Sequence, residues 1–154
     1  MATLEDVYLK FGETSEAAQL LETELGTLLM MNRAEQTGLL DTPDSEKASD
    51  IYSSINRYTL GQLLTQLNKS GDEISHISEL LLQALNERNR LSHSFYRQHN
   101  FRRNSDEGCE VMLKDLDETH DILLKAYIAV LSLSGIDLDE SKINVLPTGH
   151  LPIG

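Results

Sequence analysis

Residues 109–130, CEVMLKDLDETHDILLKAYIAV, carry the most regular hydrophobic pattern in this chain of 154 residues. Residues suited to a helix interface recur there at alternating four- and three-residue steps: Cys109, Leu113, Leu116, His120, Leu123, Tyr127 and Val130. This period is typical of a helix that packs along the seam of a bundle. Ser105, followed by Asp106 and Glu107, predicts an N-cap and an acidic first turn. The stretch therefore predicts a long final helix in an all-α protein.

The same helical period recurs in three earlier segments of the chain. It predicts helices over residues 3–36, 48–68 and 72–98. Gly12 and Gly26 each weaken the first of these by about 1 kcal/mol, which makes them candidate bends.

The connections between these segments complete the expected domain organisation. Residues 100–108 contain one apolar side chain before Gly108 and predict a loop. We expect residues 1–135 to form an antiparallel four- to five-helix bundle. Residues 136–154, which include two prolines, are expected to form an irregular C-terminal tail.

Composition excludes several classes of protein. A single cysteine cannot form an internal disulfide, so a secreted disulfide scaffold is excluded and a cytoplasmic location is expected. We also expect no secretory signal, no membrane span and no membrane partner. The net charge of −12 argues against broad electrostatic binding to nucleic acid.

The positive charge is concentrated in one short segment. Residues 87–103 contain a single acid, Glu87, and five arginines: Arg88, Arg90, Arg97, Arg102 and Arg103. This segment has a net charge of +4, whereas the rest of the chain has −16. Cations near a helix C-terminus are favoured by the helix dipole, which accounts for the later arginines better than for the earlier ones.

Arg88 occupies an unusual position on the third predicted helix. On a helical wheel it falls among Leu81, Leu85, Leu91 and Phe95, which define the core side. A guanidinium there costs several kcal/mol unless it is paired or lines a wet cleft. Asn89 and His93 project together from a neighbouring face. Arg88 is therefore either a structural ion pair or part of a functional site.

The run Glu87-Arg88-Asn89-Arg90-Leu91-Ser92-His93 resembles the R-x-x-x-x-H signature of HEPN domains. HEPN domains are helical bundles that generally dimerise, and many are metal-independent ribonucleases of toxin, defence and RNA-processing systems. Others are non-catalytic. One position departs from the toxin subgroup, whose members usually carry a tyrosine two residues after the histidine. This chain has Phe95 there.

The resemblance implies a set of roles for individual residues. Arg88 and His93 would be the catalytic pair, with Asn89 and Ser92 supporting them. The residues expected to contact RNA are Arg90, Tyr96, Arg97, Arg102 and Arg103. The implied partners are a second copy of the chain, RNA, and a cognate antitoxin or regulatory protein. No cofactor is expected.

The spacing of the motif favours a site shared by two chains. Histidine can take the 2′-hydroxyl proton, and arginine can stabilise the charge that develops on the phosphate. Residues five apart diverge by about 140° around a helix, so Arg88 and His93 of one chain cannot easily grip one phosphate. Two copies facing each other across a two-fold axis could form such a cleft.

Two other classes remain open from the sequence. Glu73 with His76, and Asp117 with His120, have the i, i+3 spacing of di-iron bundles. However, the remaining helices offer no inward glutamates, and we expect no metal. The stronger alternative is a non-catalytic module that dimerises or binds a partner protein, in which Arg88 and His93 make only structural contacts.

Overall fold

A computed structural model describes residues 1–70 and 74–133 of the chain. Within these ranges every regular element is helical, which confirms the all-α class. The α-helices are α1 (Leu4–Gln36), α2 (Ser45–Ile55), α3 (Leu60–Ser70), α4 (Ser78–His93), α5 (Phe95–His99) and α6 (Asp106–Leu133). Short 3₁₀ turns cover Ser75–Ile77 and Asn100–Asn104.

Helix α1 is continuous over 33 residues, so neither candidate glycine interrupts it. Thr3 and Asp6 form a reciprocal capping box at its start, with the Asp6 amide donating to Thr3 Oγ1 at 3.2 Å. A Cβ at Gly26 would lie only 3.3 Å from the Ile55 side chain, so this glycine allows α2 to approach closely. Packing along α1 outweighs the weak helix propensity of two glycines.

The prediction of one helix over residues 48–68 is wrong, because two helices, α2 and α3, occupy this region. A second capping box causes the interruption. The Gln62 amide donates to Thr59 Oγ1 at 3.3 Å, and the Thr59 amide donates to Gln62 Oε1 at 2.9 Å. The sequence signal, a threonine followed three residues later by a glutamine, was therefore present.

The prediction of one helix over residues 72–98 is also wrong. Its expected start at Asp72 lies outside the described residues, and the described helix ends at His93. Ser94 leaves helical geometry, with φ −133°. Arg97 compensates, since its Nη2 and Nε donate to the freed His93 carbonyl oxygen at 2.6 and 3.1 Å. A side chain thus replaces the missing backbone donor.

The start of α6 follows the sequence prediction. Ser105 is the N-cap residue, and its Oγ accepts a hydrogen bond from the Gly108 amide at 3.0 Å. Asp106 and Glu107 form the acidic first turn. The predicted loop before it contains the Asn100–Asn104 turn, which packs against the first turn of α6 at Gly108.

Helices α1 and α6 run in the same direction, contrary to a fully antiparallel bundle. Tyr8 contacts Arg103 near the start of both helices, and Leu28 and Leu133 line one groove near their ends. Helix α4 runs opposite to both, since its end packs against their beginnings. Parallel α1 and α6 are possible because α2, α3 and α4 lie between them in the chain.

The apolar core is divided into two clusters of buried side chains. The larger cluster joins α2 and α3 to the later half of α1, the first half of α4 and the second half of α6. The smaller cluster joins the start of α1 to Leu91, Phe95 and the first half of α6. The smaller cluster lies beside the predicted motif.

Two further predictions concern the limits of the bundle. The bundle boundary at residue 135 and the irregular tail over residues 136–154 lie outside the described residues. Across residues 1–70 and 74–133, no helix has both the length and the apolar character needed to cross a membrane.

Candidate functional site at the end of helix α4

The resemblance assigns catalytic or supporting roles to four residues, and all four lie on the last two turns of α4. Asn89, Ser92 and His93 are exposed, whereas Arg88 is partly buried. Arg88 and His93 have no hydrogen bond to each other. Because α4 is regular as far as His93, the two side chains diverge around the helix as the spacing predicts.

Arg88 forms an ion pair with α1. Its Nε donates to Glu22 Oε1 at 3.0 Å, and its Nη1 donates to Asn89 Oδ1 at 3.3 Å. The Arg88 and Glu22 side chains are 24% and 25% exposed, so the pair is shielded on one side and open on the other. The guanidinium on the core side of the wheel is thus paired rather than isolated.

His93 has no such partner. Within the described residues its imidazole makes no hydrogen bond or ion pair, and only its backbone carbonyl is engaged, by Arg97. An exposed, unpaired imidazole can form a hydrogen bond with a bound ligand. Of the two proposed catalytic residues, His93 is therefore the one whose side chain has no partner within the described residues.

Arg90 lies at the centre of a polar network between α4 and α6. Its Nη2 and Nη1 donate to the two carboxylate oxygens of Asp115 at 2.6 and 2.8 Å, and its Nη2 also donates to Glu87 at 2.8 Å and Thr119 at 2.8 Å. Nη1 also donates to Gln98 at 3.0 Å. These hydrogen bonds raise the pKa of Arg90 despite the opposing effect of burial. Nε donates to Glu87 Oε2 at 3.3 Å, so all three guanidinium nitrogens have partners inside the molecule.

His99 extends this network towards the surface. It is 5% exposed, and its Nε2 lies 2.6 Å from Asp115 Oδ2. Its Nδ1 lies 3.0 Å from Arg102 Nη1. Arginine can only donate, so Nδ1 accepts and Nε2 carries the proton given to Asp115. His99 is thus held in one orientation between a carboxylate and an arginine.

Asp115 is held ionised by its neighbours. Burial acts to raise its pKa, but the hydrogen bonds from Arg90 and His99 outweigh burial and keep the pKa below its usual value. Asp115, His99 and Thr119 were not among the residues singled out in the sequence. The one local signal available was the i, i+3 spacing of Glu87 and Arg90, which form an ion pair in the structure, whereas the partners on α6 depend on how the two helices meet.

The remaining predicted RNA contacts surround an aromatic cluster. The cluster consists of Tyr8 and Phe11 from α1 with Phe95 and Tyr96 from α5, at ring-centroid distances of 5.1–6.3 Å. Burial raises the pKa of Tyr96. Arg103 Nη2 donates to Tyr8 Oη at 2.9 Å. Arg97, Arg102 and Arg103 all remain exposed, so the structure gathers them on the surface at this end of the bundle.

One of the two carboxylate–histidine pairs considered for metal binding lies fully within the described residues, and both of its members contact a lysine. Asp117 and His120 both contact Lys10, at 3.1 and 3.3 Å. His76 is exposed, and Glu73 lies outside the described residues. The part of the chain described here contains no group of three histidine, cysteine or acidic residues placed to hold a metal ion. Cys109 is buried, with Sγ 3.7 Å from the Arg103 carbonyl oxygen.

Comparison of the chain with protein-family models, with curated proteins and with solved structures found no match.

Proposed function

We propose that this chain is a HEPN-like protein that acts on RNA without a metal ion, through a site built from two copies of the chain. Arg88 of one copy and His93 of the other would form the catalytic pair, with Asn89 and Ser92 supporting them. The observation that carries the proposal is His93, which is exposed and unpaired on α4 within five residues of a semi-buried arginine.

The proposed chemistry assigns one role to each side chain. The His93 imidazole takes the proton from the ribose 2′-hydroxyl, whose oxygen then attacks the adjacent phosphorus. The P–O5′ bond breaks, leaving a 2′,3′-cyclic phosphate, and the departing 5′-oxygen takes a proton from water. The Arg88 guanidinium stabilises the negative charge on the phosphate oxygens. The Glu22 carboxylate already pairs with the Arg88 guanidinium in the single chain. A phosphate must therefore displace Glu22 or share the guanidinium with it. Glu22 would therefore restrain the site until RNA or the second copy binds.

Arg90 takes a supporting part in this proposal. Its guanidinium is bonded to Asp115, Glu87, Gln98 and Thr119, so it fixes the end of α4 against α6. The exposed arginines 97, 102 and 103 are left to attract RNA phosphates at this end of an otherwise acidic protein. A cytoplasmic location and control by a cognate antitoxin belong to the same proposal.

The second candidate function is a non-catalytic interaction module. The observation that favours it is the Arg88–Glu22 ion pair, which gives the arginine a structural reason to be there. In this case Arg88 holds α4 to α1, and His93 can be replaced without consequence.

Cleavage assays on purified protein separate the two candidates. We expect His93→Ala and Arg88→Ala each to lower RNA cleavage, measured with a chelator present, by at least about a hundredfold, the usual minimum for losing an acid–base group. His76→Ala and Arg57→Ala are matched controls, because both side chains are exposed and unbonded within the described residues. A folded wild-type dimer that cleaves no RNA would contradict the nuclease proposal.

Mixing the two inactive variants tests whether the site is shared. In a heterodimer of Arg88→Ala and His93→Ala chains, one of the two shared sites has lost both residues. The other site keeps both, with Arg88 from one copy and His93 from the other. Activity should return when the two variants are mixed and allowed to exchange subunits. If the mixture stays inactive although heterodimers form, the pair does not act across the interface.

A further inference from the structure

The Asn100–Asn104 turn presents a large apolar side chain to solvent. Phe101 is 76% exposed, although it lies only two residues after His99, which is buried. The four other aromatic rings at this end of the bundle pair with one another. Within the described residues the Phe101 ring has no aromatic partner. The ring is therefore open to contact with another molecule.

Several contacts fix the shape of this turn. Arg102 is bonded to His99, which is itself bonded to Asp115 on α6. The backbone of Arg102 lies so close to Gly108 that a Cβ there would overlap the Arg102 carbonyl oxygen. Ser105 caps α6 immediately after the turn. The Phe101 backbone is therefore held in place on both sides.

The turn also contains a strained residue. Asn100 has φ 46° and ψ −114°, and it is the one non-glycine residue with positive φ in the described ranges. Such a conformation costs of order 1–3 kcal/mol and is found most often at functional sites. Asn100 directly precedes Phe101, so the strained residue lies where the chain leaves the buried His99 for the exposed turn.

The charge around Phe101 favours an anionic ligand. Arg102 and Arg103 follow it directly and are exposed. Each uses one terminal nitrogen inside the molecule, Arg102 towards His99 and Arg103 towards Tyr8, which leaves other N–H groups directed to solvent. A second copy of this chain, with net charge −12, offers acidic groups, but two of its exposed aromatic side chains, Tyr8 and Tyr96, already pack on each other. Single-stranded RNA supplies both phosphates and unpaired base faces.

We infer that the Asn100–Asn104 turn is a binding element for single-stranded RNA, in which the Phe101 ring stacks on a base and Arg102 and Arg103 contact the flanking phosphates. The inference rests on the proposed function for the identity of the ligand. It adds a recognition residue outside the R-x-x-x-x-H motif and restricts the substrate to unpaired RNA, because a duplex hides its base faces.

The test measures binding of the full chain to a fluorescent 2′-O-methyl RNA oligonucleotide, which lacks the free 2′-hydroxyl and cannot be cleaved. Phe101→Ala and Phe101→Leu should each weaken binding about tenfold, within the range found for loss of one base–aromatic stack, and Phe101→Trp should restore it. Tyr52→Ala, at an exposed aromatic residue on α2, is the matched control and should bind like wild type. The corresponding duplex should bind more weakly than the single strand.

The outcomes separate this inference from the proposed nuclease. If Phe101→Ala and Phe101→Leu bind like wild type, or if duplex and single strand bind alike, the inference is overturned and the catalytic proposal is unaffected. If Phe101 is needed for binding but His93→Ala cleaves like wild type, the catalytic proposal fails and the inference stands. If no RNA binds and Phe101→Ala instead dissociates a dimer in sedimentation, the turn is a protein contact and the inference is wrong.

Discussion

Asp115→Ala tests how much the network between α4 and α6 contributes to stability. Asp115 accepts two hydrogen bonds from Arg90, at 2.6 and 2.8 Å, and a third from His99 at 2.6 Å. Alanine would remove all three acceptor contacts and leave the Arg90 charge and the His99 N–H short of partners. The buried polar groups that remain would then lose most of their compensation for desolvation.

The expected magnitude follows from burial. Removing one partner of a buried ion pair costs about 3–5 kcal/mol. Because Asp115 and Arg90 are each 23% exposed, water can partly replace the lost carboxylate. We therefore expect the free energy of unfolding to fall by about 2–3 kcal/mol, below the fully buried case and above a surface pair.

Asp117→Ala is the matched control. Asp117 lies on the same helix, is 64% exposed and pairs with Lys10 at 3.1 Å, so its loss should cost about 0.2–1 kcal/mol. Both changes replace aspartate by alanine inside α6, and the gain in helix propensity cancels in the comparison. Urea unfolding followed by far-ultraviolet circular dichroism gives both values. Equal values for the two variants would refute the assigned role of Asp115.

The stability difference between wild type and Asp115→Ala should also depend on pH. The pKa of Asp115 is lower in the folded than in the unfolded chain, so its stabilising effect is complete above the unfolded value of about 4. The effect is lost as the pH falls through the folded pKa. The stability difference between wild type and Asp115→Ala should therefore shrink below about pH 4. A difference that stays constant through this range would contradict the ionised, hydrogen-bonded state of Asp115.

Three further changes address other parts of the molecule. Glu22→Gln keeps the shape but removes the charge facing Arg88, so initial rates of RNA cleavage should rise severalfold; a rate that falls would indicate that Glu22 positions Arg88. Gly108→Ala should lower the free energy of unfolding by about 1–3 kcal/mol, because the new Cβ would overlap the Arg102 carbonyl oxygen. A variant as stable as wild type would show that the Asn100–Asn104 turn can shift at little cost. Leu123→Ala, at a fully buried position, should cost about 2–5 kcal/mol in urea unfolding, and a smaller loss would place Leu123 outside the core.

The helical period predicted the class of fold and the long final helix, because apolar spacing reports directly on which face of a helix is buried. The Ser105 cap was predicted for a different reason: the amide that its side chain caps lies only three residues away in the sequence. The interruption at Thr59 was missed although its capping box is also local, because the apolar stripe continues across it. Apolar spacing alone therefore overestimates helix length wherever a cap lies within the stripe.

The surroundings of the motif were harder to predict. The wheel placed Arg88 on the core side, and the structure shows it half-buried against α1. Its partner Glu22 lies 66 residues away, and the partners of Arg90 on α6 lie 25 and 29 residues away. Such pairings depend on the direction and register of packed helices, which the period of a single helix does not contain. The assignment of Arg90 to RNA contact stays a prediction, although its guanidinium is engaged inside the molecule.

The division of the core into two clusters has a consequence for how the chain opens. In the described residues the larger cluster contains seventeen buried apolar side chains and the smaller one seven. Local opening requires less free energy where less apolar surface is buried. Backbone amides around Leu91, Phe95 and Met112 should therefore exchange hydrogen for deuterium through partial openings, while those around Leu25 and Leu123 wait for global unfolding. The end of the bundle that carries the motif is thus also the end most able to adjust its shape around a partner.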